Sequence, residues 1–239
     1  MESAVVSEKM KATVPLALAV AVIAFVYVEF TANFSFHWVT SGDLGNGLSL
    51  PSNFHLVIPA GFVTWGMFFA LGADNTALRT VATNSLIGSV AALVLFAFVA
   101  STTGLPDFWT IALGVAVIAF VLIVLSGGFP WISVPVIFTT FAACVFWWIA
   151  TGLDGWAASG GGVGKSLAAL KAPATAGTGA FGGVLSTPYA FVALNVFVTL
   201  LIGCFCGALS TRLAGLLTPK PRTAEAGVAE ARATRATHT

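Results

Sequence analysis

The chain has 239 residues, of which 58% are hydrophobic and only 8% are charged, and its mean hydropathy is +0.97. A soluble domain carries roughly a quarter charged residues, so this composition excludes a soluble globular protein and predicts a membrane protein. The formal net charge of +1 is not gathered into a basic face, which argues against a nucleic-acid-binding surface.

Six apolar runs follow one another along the chain, each near the roughly 20 residues that a bilayer core requires. We place these spans at about 12–34, 56–73, 81–100, 109–126, 134–151 and 190–213. The first run is too long for a cleaved signal peptide. The sequence therefore predicts an all-α membrane protein with six transmembrane helices over 12–213. A cytoplasmic amino-terminal segment (1–11) precedes them, a disordered cytoplasmic tail (214–239) follows, and 35–55 and 152–189 form long loops.

Basic residues predict the orientation of the spans. With six spans and the amino terminus inside, both long loops face outward and the carboxyl terminus is cytoplasmic. Most of the Lys and Arg residues then fall on the cytoplasmic side: Lys9, Lys11, Arg79, Arg212, Lys220, Arg222, Arg232 and Arg235. Only Lys165 and Lys171 fall outside, in a loop long enough to weigh less in the positive-inside rule.

Two stretches share the pattern P-x-x-F-x-T-aromatic-small, one at 59–66 and the other at 135–142. They lie 76 residues apart, and each stands at the start of an apolar run. If each belongs to a three-helix unit, the odd number of crossings inverts the second unit relative to the first. Inverted repeats are typical of transporters and channels, whose permeation sites lie near the midplane at the repeat interface. Helix-start prolines also recur by chance, so eight positions leave a true repeat open.

Five polar residues within the predicted spans are candidates for a solute path. Glu29 is the only acidic residue clearly inside a span, and an intramembrane carboxylate is a functional candidate, although interfacial exposure or a structural role would also explain it. Asn84 and Asn195 are neutral amides at membrane depth. They could replace part of the hydration of an uncharged solute, or bond helices together. Thr64 and Thr140 occupy matching positions in the two motifs.

Small residues and prolines predict close helix packing. Gly203 and Gly207 form a small-x-x-x-small stripe in the last span, and Gly66 begins another in the second span. Pro59 and Pro135 each come within the first turn or two of a span. A proline costs little there, because its missing N–H would be unpaired anyway.

No feature of the sequence predicts a metal, a cofactor or a catalytic centre. Cys144, Cys204 and Cys206 lie in apolar runs without the spacing of a metal site. The glycine-rich stretch 159–166 imitates a phosphate-binding loop, but it begins with Ser and no strand precedes it. No nucleophile–base pair is apparent, so we do not expect an enzyme.

Short apolar motifs carry a resemblance to a known family. Ile58-Pro59-Ala60-Gly61-Phe62, followed by Phe69-Ala70 and Leu78-Arg79, resembles the YcdZ-like family of small bacterial inner-membrane proteins. So does Ser133-Val134-Pro135 followed by Phe138. The similarity covers about 56–151, and the chain departs from the family in its long 152–189 loop and its added terminal segments. The family has no assigned function, so the resemblance implies a bacterial inner membrane and no site residues.

The sequence thus predicts a channel or transporter that passes a small neutral or weakly polar solute across the membrane. The scarcity of intramembrane charge argues against ion pumping. At 24.5 kDa the chain is small for two large moving bundles, so a passive channel in a homo-oligomer is preferred. The alternative is a non-catalytic membrane anchor or accessory subunit that docks onto other subunits of a larger membrane complex.

Overall fold

The computed structural model describes residues 2–35, 54–102, 105, 109–150 and 188–218. Within these ranges the secondary structure is helical without any strand, and six helices are present: α1 Glu2–Asn33, α2 Ile58–Ala70, α3 Asn75–Ser101, α4 Trp109–Gly128, α5 Val134–Ala150 and α6 Tyr189–Leu217. Helices α1, α3, α4 and α6 are long and apolar enough to cross a membrane, whereas α2 and α5 have 13 and 17 residues. By length and composition, these four apolar helices are consistent with a membrane protein.

The helices follow the predicted spans, with differences at the starts of α1 and α3, at the end of α6 and in the shorter length of α2. Helix α1 begins at Glu2 rather than near residue 12, because the polar stretch before the apolar run holds good helix formers such as Ala, Glu, Lys and Met. Helix α6 continues to Leu217, so the disorder predicted from 214 is wrong for 214–217. Ala214 is buried there and its carbonyl accepts the Thr218 N–H at 3.0 Å. Most of the two long loops and the tail beyond 218 lie outside the described residues.

A tight turn joins α2 and α3. Gly72 and Ala73 have φ angles of 105° and 58°, in the left-handed region, which lets the chain reverse within a few residues. Asp74 then caps α3, because its carboxylate accepts the Ala77 N–H at 2.7 Å. The short connection places α2 and α3 antiparallel to each other.

Helices α3 and α6 form the centre of the bundle. Helix α6 contacts α1, α2, α3 and α5, while α3 contacts α2, α4, α5 and α6. Helix α1 rests on α6 and touches α2, and α4 rests on α3 and touches α5. The contacts of α1 with α6 and α2 thus correspond to the contacts of α4 with α3 and α5.

Aromatic and aliphatic side chains fill the space between these helices. Phe96 of α3 and Trp148 of α5 pack with ring centroids 4.6 Å apart, within a cluster that includes Leu95, Trp147 and Leu200. Where water is absent, such packing holds helices together through van der Waals contact. The outer faces of α1 and α4 instead expose large apolar side chains, as expected of surfaces turned toward lipid tails.

Candidate functional site at two helix elbows

Two short irregular segments lead into the two short helices. The first elbow, residues 54–57, precedes α2, and the second elbow, residues 129–133, precedes α5. Thr199 of α6 holds the first elbow, and Asn84 of α3 holds the second. These two residues lie about 13–15 Å along their helices from the amino-terminal ends, at 1.5 Å per residue. The elbows therefore place non-helical backbone beside α6 and α3, where side chains of these helices supply hydrogen-bond partners.

Helix α1 satisfies much of the backbone of the first elbow. Residues 34 and 35 continue α1 as a short π-helical turn, in which the Ser35 hydroxyl accepts the Leu56 N–H at 2.8 Å and donates to the Leu56 carbonyl at 3.1 Å. About two turns earlier on the same face, the Tyr27 hydroxyl donates to the carbonyl of Ile58, the first residue of α2, at 2.9 Å. Ser35 and Tyr27 are 3% and 4% exposed. This polar face of α1 replaces the hydrogen bonds that a helix would have supplied.

Helix α6 holds the last residue of the first elbow. The Val57 N–H donates to Thr199 Oγ1 at 3.0 Å, and the Val57 carbonyl accepts the Ala60 N–H at 2.9 Å. Val57 has an extended backbone, and Pro59 follows in the first turn of α2, where a proline is tolerated. The break before α2 therefore arises from Pro59 and is stabilised by Thr199.

One amide side chain holds the second elbow. Asn84 Nδ2 donates to the Trp131 carbonyl at 3.1 Å and to the Thr80 carbonyl of its own helix at 2.8 Å. Asn84 Oδ1 accepts the Ser133 N–H at 2.8 Å. Both amide hydrogens and the amide oxygen are thus engaged, and the side chain is fully buried.

One inter-helix hydrogen bond of each elbow matches a bond of the other elbow in position. Val57 and Ser133, whose N–H groups are bound, lie 76 residues apart, the same offset that separates the two sequence motifs. The side chains that bind them, Thr199 and Asn84, each also donate to the carbonyl four residues earlier in their own helix. The same arrangement therefore occurs once in each half of the chain.

Close backbone approaches follow directly beyond each elbow. A Cβ built on Gly203 of α6 would overlap the Gly61 carbonyl of α2, and its distance to Gly61 Cα would be 2.5 Å. A Cβ built on Gly88 of α3 would lie 2.8 Å from the Ile137 carbonyl of α5. Gly61 and Ile137 are again 76 residues apart, and Gly88 and Gly203 keep the offset of Asn84 and Thr199. Glycine is required at both crossings because each long helix meets the backbone of a short helix.

The two motif threonines are buried and donate to helix carbonyls. Thr64 Oγ1 donates to the Leu200 carbonyl of α6 at 2.6 Å, and lies 3.2 Å from the Gly61 carbonyl. Thr140 Oγ1 lies 2.9 Å and 3.1 Å from the carbonyls four and three residues earlier in α5. Thr64 therefore bonds α2 to α6, whereas Thr140 bonds within α5.

The five predicted solute-path residues have different surroundings. Glu29 is exposed on α1 and accepts Asn33 Nδ2 at 3.0 Å. Asn195 is buried in α6, where its backbone carbonyl accepts the Thr199 hydroxyl at 2.7 Å. A cavity of about 300 Å³ does lie between α2 and α5, but apolar side chains dominate its lining and Thr139 is its one polar residue.

The predicted packing residues divide into two groups. Gly203 and Gly207 face α2, and a Cβ on Gly207 would lie 2.7 Å from the Phe68 ring. Gly66 is exposed, and a Cβ there would meet nothing within 4 Å, so it takes no part in packing within the described chain. Pro59 and Pro135 lie, exposed, in the first turns of α2 and α5.

Three elbow residues were absent from the predicted set. Thr199 lies four residues after Asn195, a spacing at which a hydroxyl bonds back to its own helix, so it carries no distinctive signal. Tyr27 and Ser35, with Thr31 between them, recur every fourth residue on α1. That spacing is typical of a polar helix face and could have been recognised in the sequence.

Within the described part of the chain, no group of three or more His, Cys, Asp or Glu residues could hold a metal ion. Cys144, Cys204 and Cys206 are free thiols buried among helices. No family model matches the chain, and neither the curated proteins nor the solved structures contain a match.

Proposed function

We propose that the chain is a six-span membrane protein made of two inverted halves, α1–α3 and α4–α6, that passes a small neutral or weakly polar solute across a bacterial inner membrane as a homo-oligomeric channel. The observation that carries this proposal is the matched pair of elbows. Transporters built from inverted repeats bind their solutes at the repeat interface, where non-helical backbone lines the site, and each elbow supplies non-helical backbone next to a helix of the other half.

The directions of the helices support an inverted repeat. Val57 lies beside Thr199 and Gly61 beside Gly203, so α2 runs parallel to α6. The corresponding pairs in α5 and α3 make those two helices parallel as well. Because α2 and α3 form an antiparallel hairpin, α2 and α5 point in opposite directions. That is the relation expected of matching helices in inverted halves.

The lengths of the short helices support six spans. Helix α2, at 1.5 Å per residue, is about 20 Å long, and the four residues of the first elbow can add at most about 13 Å. The sum approaches the roughly 30 Å of a bilayer core. Helix α5 is longer than α2 and has an elbow of its own, so both segments can cross.

Charge distribution supports a neutral solute and the proposed orientation. Among the described residues, no Asp, Glu, Lys or Arg side chain is buried, and the buried polar groups are mainly Thr, Ser and Asn. An ion or a strongly charged solute would need charged partners in its path. Lys9, Lys11, Arg79 and Arg212 all lie near helix ends that the six-span topology puts in the cytoplasm. This topology places the first elbow toward the outside and the second toward the cytoplasm.

One observation favours the rival function, an accessory subunit or anchor of a larger membrane complex. The polar side chains of Thr64, Asn84 and Thr140 already bond to carbonyl or N–H groups of the protein. The cavity between α2 and α5 is apolar. Buried polar groups that serve only to hold helices together are what a structural membrane subunit requires.

Flux through reconstituted protein distinguishes the two functions. Liposomes containing the purified protein should equilibrate urea, acetamide, glycerol or ammonia faster than protein-free liposomes of the same lipid, as measured by stopped-flow light scattering or an internal pH dye. A matched preparation carrying Gly203→Ala, which we expect to force α2 from α6, should lose that acceleration. Absence of flux for all four solutes, together with co-purification of one stoichiometric partner, would instead favour the accessory subunit.

A further inference from the structure

We infer that the second elbow is the moving gate of the proposed path and that Asn84 is the positioning residue that holds it closed. This inference rests on the proposed function, because a gate requires a path. It follows from an asymmetry between two elbows that are otherwise built alike.

The two elbows differ in burial. In the first elbow His55, Leu56 and Val57 are 8%, 6% and 3% exposed, so the protein covers this backbone closely. In the second elbow Phe129 and Trp131 are 46% and 55% exposed. Segments with few buried contacts open at lower free energy than covered ones. The second elbow is therefore the one free to move.

The elbows also differ in how many helices hold them. The first is bonded to α1 through Ser35 and to α6 through Thr199. In the second, the remaining backbone bonds of the described residues are local turns, such as Ile132 N–H to the Phe129 carbonyl at 3.0 Å. Among the described residues, the hydrogen bonds that join the second elbow to another helix are the two made by Asn84.

A single side-chain rotation can therefore release the second elbow. Turning the Asn84 amide away breaks the bonds to the Trp131 carbonyl and the Ser133 N–H together. Loss of Thr199 would free only the Val57 N–H and leave Leu56 tied to α1. In the proposed orientation the released segment lies on the cytoplasmic side, so it controls passage between the path and the cytoplasm.

Hydrogen exchange of the full-length protein in lipid nanodiscs, followed by mass spectrometry, tests this inference. Peptides covering 129–137 should exchange at least tenfold faster than peptides covering 54–61. Asn84→Ala should accelerate 129–137 by a further tenfold or more and leave 54–61 unchanged. The matched variant Thr199→Val should accelerate 54–61 by less than threefold. Equal protection of the two elbows in the unmodified protein, or no response to Asn84→Ala, would overturn the gate.

A second variant distinguishes the loss of the Asn84 hydrogen bonds from misfolding of the protein. Asn84→Thr introduces the residue type that holds the first elbow, and it keeps an oxygen acceptor for the Ser133 N–H while losing the donor to Trp131. Its exchange at 129–137 should fall between those of the unmodified protein and Asn84→Ala. Solute flux in liposomes separates the two proposals. If exchange is as expected but no solute passes, the proposed function is overturned and only the mobility of the second elbow is upheld. If solute passes but exchange does not differ between the elbows, the gate alone is overturned.

Discussion

The crossing of α2 and α6 offers the sharpest test of the packing. Gly203→Ala adds one methyl group at a point where the nearest neighbours are backbone atoms rather than flexible side chains. Gly61 Cα and the Gly61 carbonyl carbon would each lie 2.5 Å from the new carbon, and the carbonyl oxygen would lie closer still. Since ordinary contacts are 3.4–4 Å, the two helices must separate by about 1 Å.

This separation should lower the free energy of unfolding, because it weakens the contacts and hydrogen bonds between α2 and α6. Overpacking a tight core costs about 1–3 kcal/mol, and a gap of 0.5–1 Å already forfeits a quarter to a half of the dispersion energy of the contacts involved. The hydrogen bonds from Thr64 to the Leu200 carbonyl and from Val57 to Thr199 cross the same contact and would lengthen. Because alanine regains up to about 1 kcal/mol of helix propensity, we expect a net loss of about 2 kcal/mol.

Reversible unfolding in mixed micelles of increasing sodium dodecyl sulfate, followed by tryptophan fluorescence, measures this loss. Gly215→Ala in the same helix is the matched control, because a Cβ there would meet nothing within 4 Å. It should be as stable as the unmodified protein or slightly more stable. Gly88→Ala should lose about as much as Gly203→Ala, since it crowds the Ile137 carbonyl and the Thr140 hydroxyl. A Gly203→Ala protein as stable as Gly215→Ala would refute the close approach.

Three further outcomes are expected. Ser35→Ala leaves the Leu56 N–H and carbonyl without their partner, so the free energy of unfolding should fall by about 1–3 kcal/mol in the same titration. Thr64→Val removes a bond between α2 and α6 and should cost about 1 kcal/mol, whereas Thr139→Val, whose hydroxyl bonds only within α5, should change stability by less than about 0.5 kcal/mol. The three buried cysteines should resist a membrane-impermeant maleimide in the folded protein and react after unfolding; fast labelling of the folded protein would contradict their burial.

The sequence predicted the helices well because hydrophobicity marks them directly. It missed the first six residues of α3, from Asn75 to Thr80, which are polar enough to fall outside an apolar window. The Asp74 cap extends the helix beyond that window. It also placed disorder at 214–217, where burial of Ala214 in the bundle keeps the last turn of α6 helical.

The elbows could be foreseen only in part. Pro59 and Pro135 mark where α2 and α5 begin, and the matched motifs around them drew attention to a repeat. Asn84 was singled out as a polar residue at membrane depth, but its partners lie 47 and 49 residues further along the chain. Composition does not show which residues so far apart in the chain form hydrogen bonds with each other. The sequence placed Asn195 beside it as a second candidate, whereas the residue that makes the corresponding bond is Thr199.

The hydrogen bond between Val57 and Thr199 spans 142 residues, against 49 for that between Ser133 and Asn84. During biosynthesis the second elbow can therefore be completed as soon as α5 leaves the ribosome, while the Val57 amide waits until α6 is inserted. The Ser35 hydroxyl can already accept the N–H of the neighbouring Leu56 during this interval. The elbow that comes first in the chain is thus completed after the second elbow, once α6 has joined the bundle.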